Sequence, residues 1–264
     1  MTKWIKVALV VALLVGVVDA QHVVVRRGPG GEPPGTFPYT NNFSADPFSN
    51  SWTKRSATAR VAYDGTNDVI DFATDGSSDE YGAAQFDEVM ASEDQCACFT
   101  ISSRSSDYAG VGVMLRAPAS IDTVDSIHLW AYYWWEGSGS ARALGVAVMD
   151  QGSASHYDCD VLYENSGDLI TGDRLCFQVD GTGAYTTNPA TGTSLRVWRN
   201  PTVDCATGET PYIDYDEWTE ADGDTCLTGG KASTLAGQYY TGLAALDSNN
   251  AGTHEIDNFY AKEM

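Results

Sequence analysis

From Phe43 to Ala261 the apolar residues of this chain recur every second position, and no stretch of twelve or more residues carries a helical stripe. That period constrains the fold more than any other feature. Side chains alternate across a strand, so a period of two marks a strand with one face buried. About a dozen short strands are expected, from Arg60–Tyr63 to His254–Ala261. Gly- and Asn-containing turns such as Asp64-Gly65, Asp180-Gly181 and Asn249-Asn250 separate them. Many short strands in one chain of 264 residues predict an all-β domain, an antiparallel two-sheet β-sandwich over one core.

The ends of the chain read differently. Lys3 and Lys6 precede an apolar run, Val7 to Val18, and Val18-Asp19-Ala20 places small residues before a cut at Gln21. Residues 1–20 therefore read as a secretory signal peptide, too short to make a comfortable membrane span, so none is expected in the mature chain. Residues 21–41, QHVVVRRGPGGEPPGTFPYTN, read as a Gly/Pro-rich arm. Either the arm is a flexible lead-in, or HVVVRR is a strand offered to a neighbouring subunit. The folded domain is expected over residues 42–264.

Export agrees with six cysteines, Cys96, Cys98, Cys159, Cys176, Cys205 and Cys226, an even set that can form three disulfides. Many pairings are open. The reading favours Cys205–Cys226, closing a long acidic insertion at residues 201–230, with Cys96 and Cys98 pairing to Cys159 and Cys176. Zinc is the rival use of these thiols, but the spacing is CxC without CxxC partners.

The formal net charge of −21 excludes nucleic acid and anionic membranes as partners. Within the insertion, Asp214-Tyr215-Asp216 and Asp222-Gly223-Asp224 hold oxygen ligands two apart, but without the EF-hand pattern. They read as a solvated acidic loop.

Three passages in order resemble the concanavalin A-like lectin/glucanase jelly roll in its laminin-G-like branch. They are Phe43-Ser44-Ala45-Asp46-Pro47-Phe48-Ser49 with Trp52; Leu169 to Val179 followed by Leu195-Arg196-Val197-Trp198; and Thr241–Ala245 followed by Glu255-Ile256-Asp257-Asn258-Phe259. The resemblance implies a jelly roll that closes by pairing its first and last strands. It also implies a structural calcium near that junction, on Asp257 and Asp46. Calcium takes six to eight oxygens, so backbone carbonyls and water would complete the set. The plainer alternative is that Asp46 caps a turn and Asp257 bonds nearby backbone.

Retaining glycosidases of that family carry ExDxE or ExDxxE on one strand. Glu255-Ile256-Asp257 begins the pattern, but Phe259 and Tyr260 replace the second glutamate. No GxSxG is present. The expected function is a non-catalytic, secreted or surface module that binds polysaccharide or another glycan. The alternatives are a structural subunit of an extracellular assembly that uses its arm for strand donation, and a glycan hydrolase.

The candidate glycan site is HLWAYYWWEG. Alternation puts Trp130, Tyr132 and Trp134 on one face and Leu129, Ala131, Tyr133 and Trp135 on the other. The second set suits the core. The first is then a stacking platform for sugar rings, or a set of rings covered by a loop.

Overall fold

The computed structural model describes residues 37–56, 60–75, 81–92, 94–103, 109–119, 121, 127–135, 142–150, 159–165, 169–181, 194–206, 208–215, 239–247 and 251–264. The expected signal peptide and most of the arm lie outside the described residues.

The strands are β1 (Tyr39–Asn41), β2 (Trp52–Ser56), β3 (Val61–Asp64), β4 (Val69–Asp75), β5 (Tyr81–Phe86), β6 (Gln95–Ser103), β7 (Ala109–Ala117) and β8 (Ile127–Trp135). They continue as β9 (Arg142–Asp150), β10 (Cys159–Asn165), β11 (Arg174–Asp180), β12 (Ser194–Arg199), β13 (Ile213–Tyr215), β14 (Tyr240–Asp247) and β15 (Ala251–Glu263). One sheet runs β13-β12-β11-β6-β15-β4-β3, with β1 added beside β15 as its eighth strand. The other has seven, in the order β10-β9-β8-β7-β14-β5-β2. Every pairing is antiparallel. This is the expected two-sheet jelly-roll sandwich.

Alternation fills the space between the sheets. Val111, Val113 and Leu115 of β7, Leu129, Ala131 and Tyr133 of β8, and Phe99 and Ile101 of β6 all enter one core. The closing strand must break its own period to do the same. Ile256 and Phe259 are three apart, yet both face that core. A register shift between Asp257 and Tyr260 makes this possible, with Asn258 at φ 52°. An inserted bulge residue flips the side chains that follow it.

The two passages from opposite ends of the sequence meet here. Tyr39, Thr40 and Asn41 pair with Ala261, Tyr260 and Phe259. Trp52 packs edge-on to Phe259 with ring centroids 4.9 Å apart, and its Nε1 donates to Tyr39 Oη at 3.1 Å.

Two findings correct the sequence reading. β1 falls in the last three residues of the segment expected as an arm. The insertion 201–230 is not loop throughout, because Ile213–Tyr215 returns as an edge strand on β12. Arg196 lies opposite Asp214 there, with Nε to Oδ1 at 3.0 Å, and the cross-strand ion pair fixes the register of a strand too short to show a period. Asp222 and Asp224 lie outside the described residues.

Candidate functional site

The outer face of the seven-stranded sheet is apolar. Trp130 and Tyr132 point there from β8, as alternation requires, and join Tyr81 and Ala83 of β5, Met114 of β7 and Ala244 of β14. The two rings stack with centroids 4.1 Å apart and planes 19° apart. Tyr81 meets Trp130 edge-on at 5.8 Å. Its hydroxyl lies 2.8 Å from His128 Nε2. Burial pushes the Tyr81 phenol well above its ordinary value.

Glycines make this floor. A Cβ at Gly145 would stand 2.4 Å from Tyr132 Cζ, so the Tyr132 ring lies over bare backbone. At Gly112 a Cβ would come within 1.9 Å of the Ala131 carbonyl oxygen on the neighbouring strand. The sheet surface is thereby flat enough for rings to lie against it.

The expected platform is not open. Trp130 is 0% exposed and Tyr132 2%. The even-numbered rings are on the expected face but covered, because exposure depends on what packs over a face and not on the strand's own period. Trp134 pairs through its backbone with Gly110 and Ala143; its side chain lies outside the described residues. Tyr81 and His128 were missed, although the same alternation runs through both strands.

One margin of this face is polar. Tyr240 is half-buried against this apolar cluster. Opposite Gly242 on the same strand stands Gln85, whose Nε2 donates to Pro118 O at 2.6 Å and whose Oε1 accepts from Arg55 Nε at 2.9 Å. Asp87 closes the group: burial raises its pKa, against a hydrogen bond from Thr53 and the charge of Arg55.

Asp46 and Asp257 are each engaged locally. Asp46 Oδ1 accepts from Phe48 N at 2.9 Å and caps the 3-10 turn Pro47–Ser49. Asp257 accepts from Asn258 N and Nδ2, both at 2.6 Å, at the bulge. Burial raises the Asp257 pKa, and the positive charge of Arg174 works against that rise. Among the described residues, three-ligand groups close enough to share an ion form only around cysteine sulfurs, and neither aspartate belongs to one. Asp46 Oδ1 and both Asp257 oxygens thus have local partners, and a calcium ion on these two residues would have to share them.

The disulfides overturn the expected Cys205–Cys226 pairing and keep Cys98 with one of its two expected partners. Cys205 pairs with Cys96, not with Cys226, and Cys98 pairs with Cys176. The second bridge follows register, since Cys98 and Cys176 are directly opposite on β6 and β11. The first forms because the loop after β12 folds back over β6, which sequence distance does not reveal. The side chain of Cys159 and all of Cys226 lie outside the described residues.

A carboxylate pair was also missed. Asp71 faces Glu255 across β4 and β15. Burial first, then Glu255 and Asp64, push the Asp71 pKa up to about 6. Its Oδ1 is buried without a hydrogen-bond partner.

No protein-family model matches the sequence, and no curated protein sequence matches it. Among solved structures, the chain is similar in architecture to concanavalin A-like jelly rolls. A beta-1,3-glucanase from Mycobacterium marinum aligns at 15% identity and a TM-score of 0.48, over 87% of this chain and 100% of that one. A legume lectin-like domain from Entamoeba histolytica aligns at 8% identity and 0.44, over 86% and 97%. The lectin UEA-II, solved in complex with galactose, aligns at 10% and 0.43, over 86% and 98%. The likeness is one of fold, and the site is argued from this chain's own residues.

Proposed function

We propose that the chain is a secreted, non-catalytic jelly-roll module that binds glycan on the outer face of its seven-stranded sheet. The observation that carries this reading is the aromatic lining of that face, with half-buried Tyr240 packed on it and the polar group Thr53, Arg55, Gln85 and Asp87 on the strands β2 and β5 and just after β5. An outward sheet face ordinarily bears polar side chains. Flat rings suit the apolar face of a pyranose, and a guanidinium, an amide and a carboxylate suit its hydroxyls. With Trp130 and Tyr132 buried, first contact falls to Tyr240 and the polar margin, and the inner rings support it. The two aspartates are satisfied locally, and the reading requires no metal.

A glycan array followed by calorimetry tests this. Tyr240→Ala should weaken binding at least tenfold while the melting temperature stays within a few degrees. An array with no binder among polysaccharides and oligosaccharides would sink the proposal. Release of reducing sugar from β-glucans or galactans would overturn its non-catalytic part.

A second reading, self-assembly through the arm, is narrowed by β1. Tyr39–Asn41 pair with β15 of their own chain, which leaves residues 21–36 for donation to a neighbour. Deleting those residues should turn any oligomer into monomer in light scattering. An unchanged mass would remove this reading.

A further inference from the structure

Four buried sulfurs lie in two overlapping groups that share Cys98, on the outer face of the eight-stranded sheet. Cys96 and Cys98 point the same way from β6, Cys176 faces Cys98 from β11, and Cys205 is laid onto them by the loop after β12. The two bridges touch: Cys98 Sγ and Cys205 Sγ, which belong to different disulfides, are 3.4 Å apart. The sulfurs of Cys96, Cys98 and Cys205 all lie within 4.8 Å of one another, and so do those of Cys98 and Cys176 with a carboxylate oxygen of Asp204. A zinc tetrathiolate with Zn–S near 2.3 Å separates its sulfurs by about 3.8 Å. Once both bonds open, the sulfurs already within 4.8 Å of one another need only small side-chain shifts to reach that spacing, and Cys176 must swing toward Cys96 and Cys205.

We propose that, once both bridges are reduced, Cys96, Cys98, Cys176 and Cys205 form a site for one thiolate-preferring divalent cation, of which zinc is the type. Disulfides close the cluster in oxidising surroundings, and the metal closes it in reducing ones. Each bridge takes two electrons and two protons from a dithiol reductant, which becomes a disulfide in turn. The four thiols then lose their protons to solvent as metal–sulfur bonds form. Sulfur ligands select zinc over calcium or magnesium.

Four thiolates around a divalent ion leave a net negative charge; of the cations beside it, Arg174 balances Asp204 and Lys262 is left to offset the thiolates in part. Arg174 is ion-paired to Asp204 beside the cluster, and Lys262 Nζ donates to Cys205 O at 3.5 Å. The sequence lacks a CxxC motif, but strand register supplies the third sulfur and the folded-back loop the fourth. The metal would join the segments that the bridges join, across sequence separations of 109 and 78 residues.

The test uses the full chain, reduced with dithiothreitol, desalted under nitrogen and titrated with Co²⁺ and then Zn²⁺. The expected result is one Co²⁺ per chain, with thiolate-to-cobalt charge-transfer bands and the intense visible bands of a tetrahedral site. Zinc should displace the cobalt and raise the melting temperature of the reduced chain. The bands should persist in a Cys159→Ser/Cys226→Ser double variant and vanish in Cys98→Ser. Three results would each overturn the proposal: no bands on the reduced chain, their loss in the double variant, or equal bands from the chain in concentrated guanidinium chloride. A reduced chain that unfolds and does not regain its β spectrum with zinc overturns it as well.

Discussion

Tyr132 occupies the space above Gly145. A Cβ at position 145 would stand 2.4 Å from the phenol ring's Cζ and 2.5 Å from its oxygen, and the ring is already stacked on Trp130 at 4.1 Å. The ring therefore cannot yield without unstacking.

Gly145→Ala is expected to destabilise the domain by about 1–3 kcal/mol, the usual range for overpacking. Gly112→Ala should cost more, since its Cβ meets the Ala131 carbonyl at 1.9 Å and a strand must move instead of a side chain. Chemical denaturation of both variants gives the order. Equal losses would contradict it.

Trp130→Ala removes a side chain that is 0% exposed and is expected to cost about 3–5 kcal/mol. Trp130→Phe should keep most of the stability and the apolar face. If glycan binding follows the proposed margin, Trp130→Phe lowers affinity far less than Tyr240→Ala does, as calorimetry will read.

Two carboxyls shape the pH dependence in opposite directions. The Asp71 pKa is raised from 3.8 to about 6 by burial and by its acidic neighbours. Its charged form therefore disfavours the fold above about pH 6, and the cost disappears as pH falls toward the unfolded value. Stability should rise from pH 7 to 5, by an amount on the order of 1 kcal/mol after allowance for solvent screening. Asp173 is 4% exposed, and there burial alone would raise the pKa. Hydrogen bonds from Asn200, the Ile170 amide and Arg199 overcome that and lower it. Its contribution is complete above the unfolded value and is lost as pH falls through the lowered folded one. From these two groups, denaturation midpoints should rise as pH falls from 7 toward the unfolded carboxylate value of 3.8 and fall again below it. Asp71→Asn should flatten the neutral side and Asp173→Asn the acid side.

Peptide mapping without reductant should recover Cys96–Cys205 and Cys98–Cys176 as linked peptides. Replacing Cys205 by Ser is expected to cost about 2–5 kcal/mol, the range for a native bridge in a secreted domain. A Cys205–Cys226 peptide would contradict the fold of the loop.

A chelator should leave the melting temperature of the oxidised chain unchanged, because Asp46 and Asp257 already bond to Phe48 N and Asn258 N. A fall reversed by calcium would show a site that these two residues do not make alone.

Much of this was legible before the structure. Long strands such as Ile127–Trp135 and Gln95–Ser103 show in the sequence because they carry several turns of the period. β1 and β13 escaped notice because three residues hold one alternation only. Face was legible and exposure was not: Trp130 and Tyr132 lie on the expected side yet are covered. Cys98–Cys176 is among the expected pairings, while the Cys205 pairing differs for a related reason. Cys226 is near Cys205 along the chain, but the loop turns back toward β6, and only the folded path shows which sulfur it meets. Asp71 drew no attention because its partner, Glu255, stands on a strand far along the chain.

Asp204 and Cys205 are neighbours, and each fastens the same loop by a different force. Cys205 is bonded covalently to Cys96, while Asp204 accepts from Arg174, whose guanidinium also donates to Thr100 Oγ1 at 3.1 Å and to the Asn258 carbonyl. In the oxidised chain the covalent tether makes the ion pair redundant. Once the bridge is opened, the loop is held by charge, and charge is screened by salt. For this loop, ionic strength should therefore weigh more in the reduced protein than in the oxidised one.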